Sequence, residues 1–453
     1  MAMNGMQIYR LLPRTNCKEC GFPTCLAFAM KLAAKQAELA DCPYVSDESR
    51  AKLEEASQPP IRLVTVQANG SQVQAGNETV MFRHEKRFFN KPGLFCRLRD
   101  DMPLGELKSR ALEIADYMVE YVGMELRVDG FAIEATGSGE AFGAAVRAAL
   151  DTAPRPLILI AEDAEVMAEG VKAATSAEGI EVRPLLYGAT ADTWEAFAKL
   201  AAEHNCPMAI REEYLDVLSG LATEIQKAGV NDIVLDHGAR DLPVALAKQT
   251  QMRRLALKKN FRPLGYPQIA FPDESVDTPD MSPIAATQAI CKYAGFVVLD
   301  GFSPATVYPL LALRENLYTD PQTPIQVQPG VYELNDPTPD APLYVTTNFS
   351  ITYFAVANEI SGSGRPGWLL VVDSEGMSVL TAWAAGKFDA ERIAKAVKAN
   401  GLESKLSHKK LVIPGHVSIL LGEIEEELPG WKILVGPRDA VDIPSYYTVW
   451  QAV

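Results

Sequence analysis

The sequence has no run of 18 or more apolar residues, so no segment is fit to cross a membrane as a helix. Positive charge is short. Lys and Arg number 43 against 58 Asp and Glu, and the formal net charge is −15. A surface that acidic repels phosphate backbones and anionic lipid heads, so neither nucleic acid nor a membrane is an expected partner. The opening stretch, MAMNGMQIYRLLPRTN, lacks the charged-then-apolar pattern of an export leader, and the expected compartment is the cytoplasm. Disulfides are unusual in that reducing compartment, so the seven cysteines need another account.

At 453 residues the chain is longer than one hydrophobic core usually supports, and two or three domains are expected. Cys96, Cys206 and Cys291 stand alone in apolar or mixed surroundings and read as core packing. The other four crowd into TNCKECGFPTCLAFAMKLAAKQAELADCP, residues 15–43, with the spacing Cys17-x2-Cys20-x4-Cys25-x16-Cys42. Two residues between cysteines let both sulfurs turn toward one centre, and Gly21 and Pro23 shape the bend before Cys25. The stretch 25–40 predicts a helix, being rich in strong helix formers, with Leu26, Met30, Ala33 and Ala37 at helical spacing. Thr24 is its expected cap. Cys25 then falls in the first turn, where free N–H groups and the dipole favour a thiolate. Pro43 bars continuation after Cys42.

Two metal readings compete for these thiols. A structural zinc usually takes two CxxC knuckles, and only one is present here. The x4 gap and the late Cys-Pro fit a [4Fe–4S] cluster better. The motif is specific for a cluster and not for a task.

Pro59-Pro60 is a stiff spacer, and the first domain is expected to end near Ser57. IRLVTVQAN and ETVMFRHEKRFFN predict short strands around a Gly/Asn turn. From about residue 92 a rhythm begins. LFCRLRD, LRVDGFAIEA, PLILIAED, VRPLLYGAT, CPMAIRE, DIVLDHG, YPQIAFPD and GFVVLDGF read as strands, each followed by a helical stretch. Eight such units predict a closed (β/α)8 barrel, with a doubly wound open sheet as the alternative. Barrel chemistry sits at the C-terminal strand ends, where Glu162, Asp163, Arg211, Asp236, His237 and Asp300 fall. Asp236 and His237 together suit acid–base work, although a solvated loop or subunit contact is the favoured reading of them.

The stretch LYTDPQTPIQVQPGVYELNDPTPDAP holds six prolines in 26 residues and predicts a loop-like link. A smaller α/β unit follows, with LYVTTNF, WLLVVDSEG, KLVIPG and WKILVGP as strands. Each strand ends in small or polar residues. Ligands of an open parallel sheet bind over that edge, and Ser, Thr and backbone N–H groups suit amides and a phosphate. The same residues are also ordinary turn chemistry.

The cysteine stretch, with CGFPTCLAFAM and DCPYVSD, and the later YVTTNFSITYF and VVDSEGMSVLTAWAAGKF, resemble one known family over essentially the whole chain. It is the large (gamma) subunit of the corrinoid iron–sulfur protein of the acetyl-CoA decarbonylase/synthase system. The resemblance implies an α/β protein in three parts: a small N-terminal [4Fe–4S] domain at 1–57, a central TIM barrel at 58–320, and a C-terminal Rossmann-like corrinoid (cobalamin)-binding domain at 321–453. It implies a methyl carrier of the reductive acetyl-CoA pathway. Its cobalt, as Co(I), takes a methyl group from a methylated tetrahydropterin or tetrahydrofolate through a separate pterin methyltransferase. It passes that group to acetyl-CoA synthase. A cluster on Cys17, Cys20, Cys25 and Cys42 would restore Co(I) when an electron is lost. A small TIM-barrel subunit in a heterodimer and the acetyl-CoA synthase/CO dehydrogenase are the further implied partners.

Carried over by motif, Thr347 and Tyr353 would contact the corrin or its tail. Ser378, Val379, Leu380 and Thr381 would line its lower face, with Thr381 nearest cobalt, and Ala440 would close the far side. None of the five histidines sits in the Asp-x-His-x-x-Gly motif by which many cobalamin domains ligate cobalt, and His416 is left as a local contact at most. Two other classes stay open: a pterin-dependent methyltransferase built on the barrel, and an iron–sulfur electron-transfer subunit without corrinoid.

Overall fold

The computed structural model describes residues 5–34, 36–46, 48–50, 53, 59–121, 124–176, 179–276, 278–319 and 325–452. The chain divides into two compact units, Met1–Met118 with Arg127–Tyr318, and Val119–Leu126 with Thr319–Val453. Among the described residues no helix is long and apolar enough to cross a membrane.

In the first unit, eight strands run parallel, each paired to the next and the last to the first: Gly93–Arg99, Gly130–Glu134, Leu157–Ile160, Leu185–Ala189, Met208–Arg211, Ile233–Asp236, Gln268–Ala270 and Ala294–Leu299. They close a barrel. Phe95, Ile158, Tyr187, Val234, Ile269 and Phe296 fill its interior. The hairpin Val64–Ala68 and Ser71–Ala75 adds Val64, Val66, Val73 and Ala75 to the same core. It plugs the end at which the strands begin. A side chain on Gly93 would collide there with Val73, and one on Gly295 with Ala75. Cys96 and Cys206 are buried, and burial pushes their thiols up to about 12 and about 11, so they are inert core residues.

Three local expectations are revised. ETVMFRHEKRFFN forms no strand. Buried Glu78 accepts from Phe89 N at 2.7 Å and pairs with Arg253 at 3.2 Å, so a side chain satisfies the backbone that a neighbouring strand would otherwise bond. LRVDGFAIEA splits in two: Met124–Arg127 pairs with Met118–Tyr121 in a separate two-stranded sheet, and only Gly130–Glu134 enters the barrel. The helix after Thr24 ends at Ala33, short of residue 40. Its buried face is Cys25, Phe28 and Ala29, while Leu26 and Met30 are exposed. That face packs on Ile8 and Leu12 beside the short helix Gly5–Leu11, a partner that helical spacing alone does not disclose.

The second unit is an open five-stranded sheet. In spatial order its strands are Gly330–Leu334, Gly367–Val372, Leu343–Thr347, Lys410–Ile413 and Lys432–Val435. All are parallel except the first, an antiparallel edge strand. That edge strand comes from the stretch expected to be a loop. The prolines flank GVYEL rather than interrupt it, and an edge position spares a strand the need to bond on both sides. Strand residues alternate cleanly between two cores. Leu343, Val345, Leu370, Val372, Leu411 and Ile413 meet Ala382, Ile393, Val397 and Ile424 on one face. Tyr344, Leu369, Val371 and Val412 meet Tyr353, Ala357, Ile360, Ile443 and Trp450 on the other. Burial on both faces explains why these strands read as continuous apolar runs.

Candidate functional site

The order of the C-terminal sheet fixes where a ligand can enter. After Leu343–Thr347 the chain passes to helix Ser350–Gly362 on one face. After Lys410–Ile413, the neighbouring strand, it passes to helix Leu421–Glu427 on the other face. Two adjacent strands whose chains depart to opposite faces leave a crevice at their carboxyl ends. A cavity of about 330 Å³ lies there. Tyr344 and Thr346 form its floor, Ile351, Thr352, Ala355 and Val356 one wall, and Ser378, Val379 and Leu380 another. Pro414, His416, Arg438 and Ala440 complete its rim. Gly415 and Gly436 let the last two loops meet: Gly415 N donates to Pro437 O at 2.9 Å and Gly436 N to Ile413 O at 2.8 Å. A side chain on Gly415 would lie 2.6 Å from Gly436 O, and one on Gly436 would lie 2.8 Å from Val412 Cγ1.

The cavity is mostly apolar with a few polar groups aimed inward, which is the usual make-up of a small-molecule site. One of these groups has a physical signature. Thr346 is fully buried and its hydroxyl finds no partner. An orphaned buried hydroxyl costs roughly 1–3 kcal/mol, and a ligand polar group recovers that.

Of the expected contacts, Ser378, Val379, Leu380 and Ala440 line the cavity. Thr347 does not; it is the next residue along the strand and points to the other face, where its hydroxyl is also unpartnered. Tyr353 lies on the inward side of its helix, its ring 4.9 Å from that of Tyr332. Thr381 is exposed, with its hydroxyl 3.0 Å from that of Ser378. The sequence marks the strand end Thr346-Thr347-Asn348 and the loops TTNFSITY and GPRDA, but within them it singles out Thr347, Tyr353 and Ala440 rather than the cavity-lining Thr346, Thr352 and Arg438. The period-two alternation of a strand carries the signal for Thr346, but only once the strand's neighbours are known.

The N-terminal thiols show a second arrangement. Thr24 caps the Cys25–Ala33 helix, its hydroxyl accepting from Ala27 N at 3.0 Å, and Cys25 N donates to Asn16 Oδ1 at 2.8 Å. Cys25 and Cys42 are buried, Cys20 is half-buried and Cys17 exposed. Burial raises the Cys42 thiol, and the charges of Cys20, Cys25 and Cys17 raise it further. Among the described residues no three metal-binding side chains are gathered tightly enough to hold a single ion. Cys42 is nevertheless near enough to the other three to feel their charge, and a multinuclear cationic centre among the four would offset it. The donor set therefore fits an iron–sulfur cluster.

At the barrel mouth, by contrast, the charges consume one another. Asp236 is fully buried and accepts from Tyr187 Oη at 2.7 Å, from Arg240 at 2.9 and 3.1 Å, and from Gly238 N at 2.8 Å. Burial alone would raise its carboxyl, but Arg240 and Tyr187 outweigh this and hold it below the usual carboxylate range. Arg97 meets Glu274 at 2.8 Å, Asp300 at 2.9 Å and Glu134 at 3.3 Å, and Arg240 also meets Glu274 at 2.7 Å. Both guanidinium groups lie over the Phe271 ring. Glu162, Asp163 and Arg211 line a polar cavity above, where Asp163 caps the next helix by accepting from Glu165 N and Val166 N. His237 does not bond Asp236. Its Nδ1 accepts from Ala239 N at 3.2 Å and its Nε2 is buried without a partner. Burial lowers its pKa, so it is held neutral. The pair that sequence suggested for acid–base work is thus turned to two different surroundings.

Taken together, the chain is a multidomain α/β protein. It joins a four-cysteine segment and a (β/α)8 barrel to a mostly parallel sheet with a cavity at its switch point. The profile of the CO dehydrogenase/acetyl-CoA synthase delta subunit family matches residues 63–447, and an Fe-S cluster family matches residues 12–44. The corrinoid/iron-sulfur protein large subunit of Moorella thermoacetica is 41% identical over 98% of both chains. Acetyl-CoA decarbonylase/synthase complex gamma subunits are 37% identical in Archaeoglobus fulgidus, over 97% of both chains, and 34% in Methanopyrus kandleri, over 98% of this chain and 97% of that one. The chain belongs to this family of corrinoid/iron–sulfur large subunits.

Proposed function

We propose that this chain is a methyl carrier of the reductive acetyl-CoA (Wood–Ljungdahl) pathway, with a corrinoid in its C-terminal Rossmann-like domain and a [4Fe–4S] cluster on Cys17, Cys20, Cys25 and Cys42. The observation that carries the reading is the orphaned Thr346 hydroxyl in a switch-point cavity, on the same chain as the four spaced thiols of residues 17–42. When bound, the corrinoid supplies a cobalt nucleophile for methyl transfer and the cluster supplies electrons at low potential.

The chain's own residues hold, orient and shield. Thr346, Thr352 and Ser378 would hold polar groups at the edge of the corrinoid. Ile351, Val379 and Leu380 would exclude water from the side facing the protein. His416 is exposed at the rim, at the end of the Lys410–Ile413 strand. The sequence offers no histidine in the Asp-x-His-x-x-Gly motif, and the lack of that ligand would favour lower oxidation states of a bound cobalt. A small subunit, acetyl-CoA synthase and a pterin methyltransferase are the partners this role requires. The barrel is scaffold and docking surface in this reading. Asp236, Glu134, Glu274 and Asp300 are each engaged by arginine, which disfavours the barrel as a pterin methyltransferase in its own right.

The test is metal analysis of the anaerobically purified chain with its partner. About four iron and one cobalt per polypeptide are expected from the two cofactors. Iron without cobalt, after corrinoid has been offered, would leave an electron-transfer subunit. Zinc without iron would overturn the cluster assignment. Cys20→Ala is expected to retain methyl transfer from pre-reduced protein and to lose reductive activation; loss of both in a variant that still binds corrinoid would sink the division of labour.

A further inference from the structure

We infer that Asn348, which touches neither the cavity nor the thiols, is a positioning residue that sets the loop carrying Ser378 and Leu380 and locks the inter-domain link to it. The side chain is almost fully buried, at 1% exposure. Three donors converge on its Oδ1: Ser374 N at 2.9 Å, Ser374 Oγ at 2.8 Å and Gly376 N at 3.0 Å. Its Nδ2 donates to Asp373 Oδ1 at 3.2 Å and to Gln326 Oε1 at 3.1 Å. Every polar valence of the amide is therefore engaged, and no part of it is left for a ligand.

The loop it holds is not one that forms unaided. Glu375 and Gly376 both have positive φ, at 56° and 74°, and a left-handed non-glycine residue costs of order 1–3 kcal/mol. Successive N–H groups in such a turn make a concave nest that ordinarily takes an anion. Here the Asn348 amide oxygen fills it. Two residues on, Ser378 opens the Val379–Ala384 helix and the cavity wall.

On the other side the link is tied to the same residue. Val327 N donates to Asn348 O at 2.9 Å, Ser350 N to Ile325 O at 3.2 Å, and Gln326 pairs with Phe349 as an isolated bridge. Gly376 packs directly on the Gln326 side chain, where an added Cβ would lie 2.7 Å from Cγ. Whatever displaces the link at Gln326 acts on the loop of Ser374 and Gly376 through the Asn348 amide and through the Gln326 side chain packed on Gly376.

This inference rests on the corrinoid reading, and its test separates the two. Full-length protein is prepared as Asn348→Ala, Asn348→Asp, the double variant Asn348→Asp with Asp373→Asn, and Asn335→Ala. The last is a control, because Asn335 clamps three carbonyls of the same domain away from this loop. Cobalamin affinity and the Co(II) electron paramagnetic spectrum are measured beside denaturant stability. N348A is expected to weaken cobalamin binding at least tenfold and to alter the spectrum. N348D sets two carboxylates against each other and should do the same. The double variant reverses donor and acceptor across that contact but gives up the bond from Glu375 N to Asp373 Oδ1 at 3.0 Å, so it should restore part of both readouts relative to N348D. N335A should lose stability with an unchanged spectrum. If N348A fails to fold, the N348D pair still decides. Unchanged affinity and spectrum in N348D, or no rescue in the double variant, would overturn the inference. Failure of the unsubstituted protein to bind cobalamin would overturn the corrinoid reading instead.

Discussion

The barrel mouth and the edge of the C-terminal sheet are the same kind of place, the carboxyl ends of parallel strands, and they have been finished in opposite ways. At the barrel mouth, buried carboxylates are matched to guanidinium groups over the Phe271 ring, and the charges satisfy one another. At the sheet edge, the cavity is apolar and the Thr346 hydroxyl is left without a partner. A site that spends its polar groups on itself is a stabilising element. A site that leaves one buried and unsatisfied is prepared for something else to complete it. Fold-level location nominates both sites; the mouth keeps an orphan of its own, His237 Nε2, so it is the pairing of its charges against the apolar lining of the sheet-edge cavity that separates them.

The largest effect should come from breaking the sealed side. Asp236→Ala leaves Arg240 and Tyr187 facing a buried void. It is expected to cost about 3–5 kcal/mol in urea unfolding, as removal of one partner of a buried pair does, with cobalamin affinity unchanged. A loss of affinity without a loss of stability would make the mouth a ligand site and dissolve the contrast. Next comes the open side. Thr346→Val keeps shape and removes the hydroxyl, and cobalamin affinity should fall about tenfold, near 1.4 kcal/mol, while stability without corrinoid holds or rises. Its neighbour sharpens the point. Thr347→Val removes an equally orphaned hydroxyl outside the cavity, so stability should rise by about 1 kcal/mol with no change in affinity. If both variants bind equally well, Thr346 is no ligand contact.

The smallest effect is a pH dependence at His237. Burial depresses its pKa in the folded protein. The unfolded chain therefore binds the proton first, and this histidine contributes stability that is present above its unfolded pKa of about 6.5 and is lost as pH falls toward the folded value. His237→Gln should flatten that segment of the stability curve, by at most about 1.4 kcal/mol per pH unit. A slope below about pH 6.5 in His237→Gln that matches the wild type would mean that other groups set it.

Much of this was legible in the residues. Eight apolar runs spaced by helical stretches predicted the barrel, and each holds one of its strands, although LRVDGFAIEA and VRPLLYGAT each give their first residues to another sheet. The runs were readable because burial on both faces writes a barrel strand as a continuous hydrophobic segment. The four-cysteine spacing pointed to a cluster and Thr24 to its cap, because capping and ligation are local in sequence. Ser378 to Leu380 and Ala440 were found near the cavity by motif. Other features were not readable. The expected apolar face of the cysteine helix, with Leu26 and Met30, lies outward, because only the Gly5–Leu11 helix decides which side has a partner. Thr346 and Thr347 are indistinguishable as a pair of letters. Their roles separate only when the Lys410–Ile413 strand lies beside theirs and fixes which face the crevice opens on.

By itself, then, the sequence determined what is set by neighbours along the chain: the thiol spacing, the helix cap, the run of barrel strands, and the excess of negative charge. Tertiary structure alone decided what depends on neighbours across space. Strand order made the crevice, the Arg97 and Arg240 networks paired the charges at the barrel mouth, and one buried amide at Asn348 joined a link, a strand end and a strained loop. The physical reason is that burial and hydrogen-bond satisfaction are properties of a folded surrounding, and residues far apart in sequence supply it.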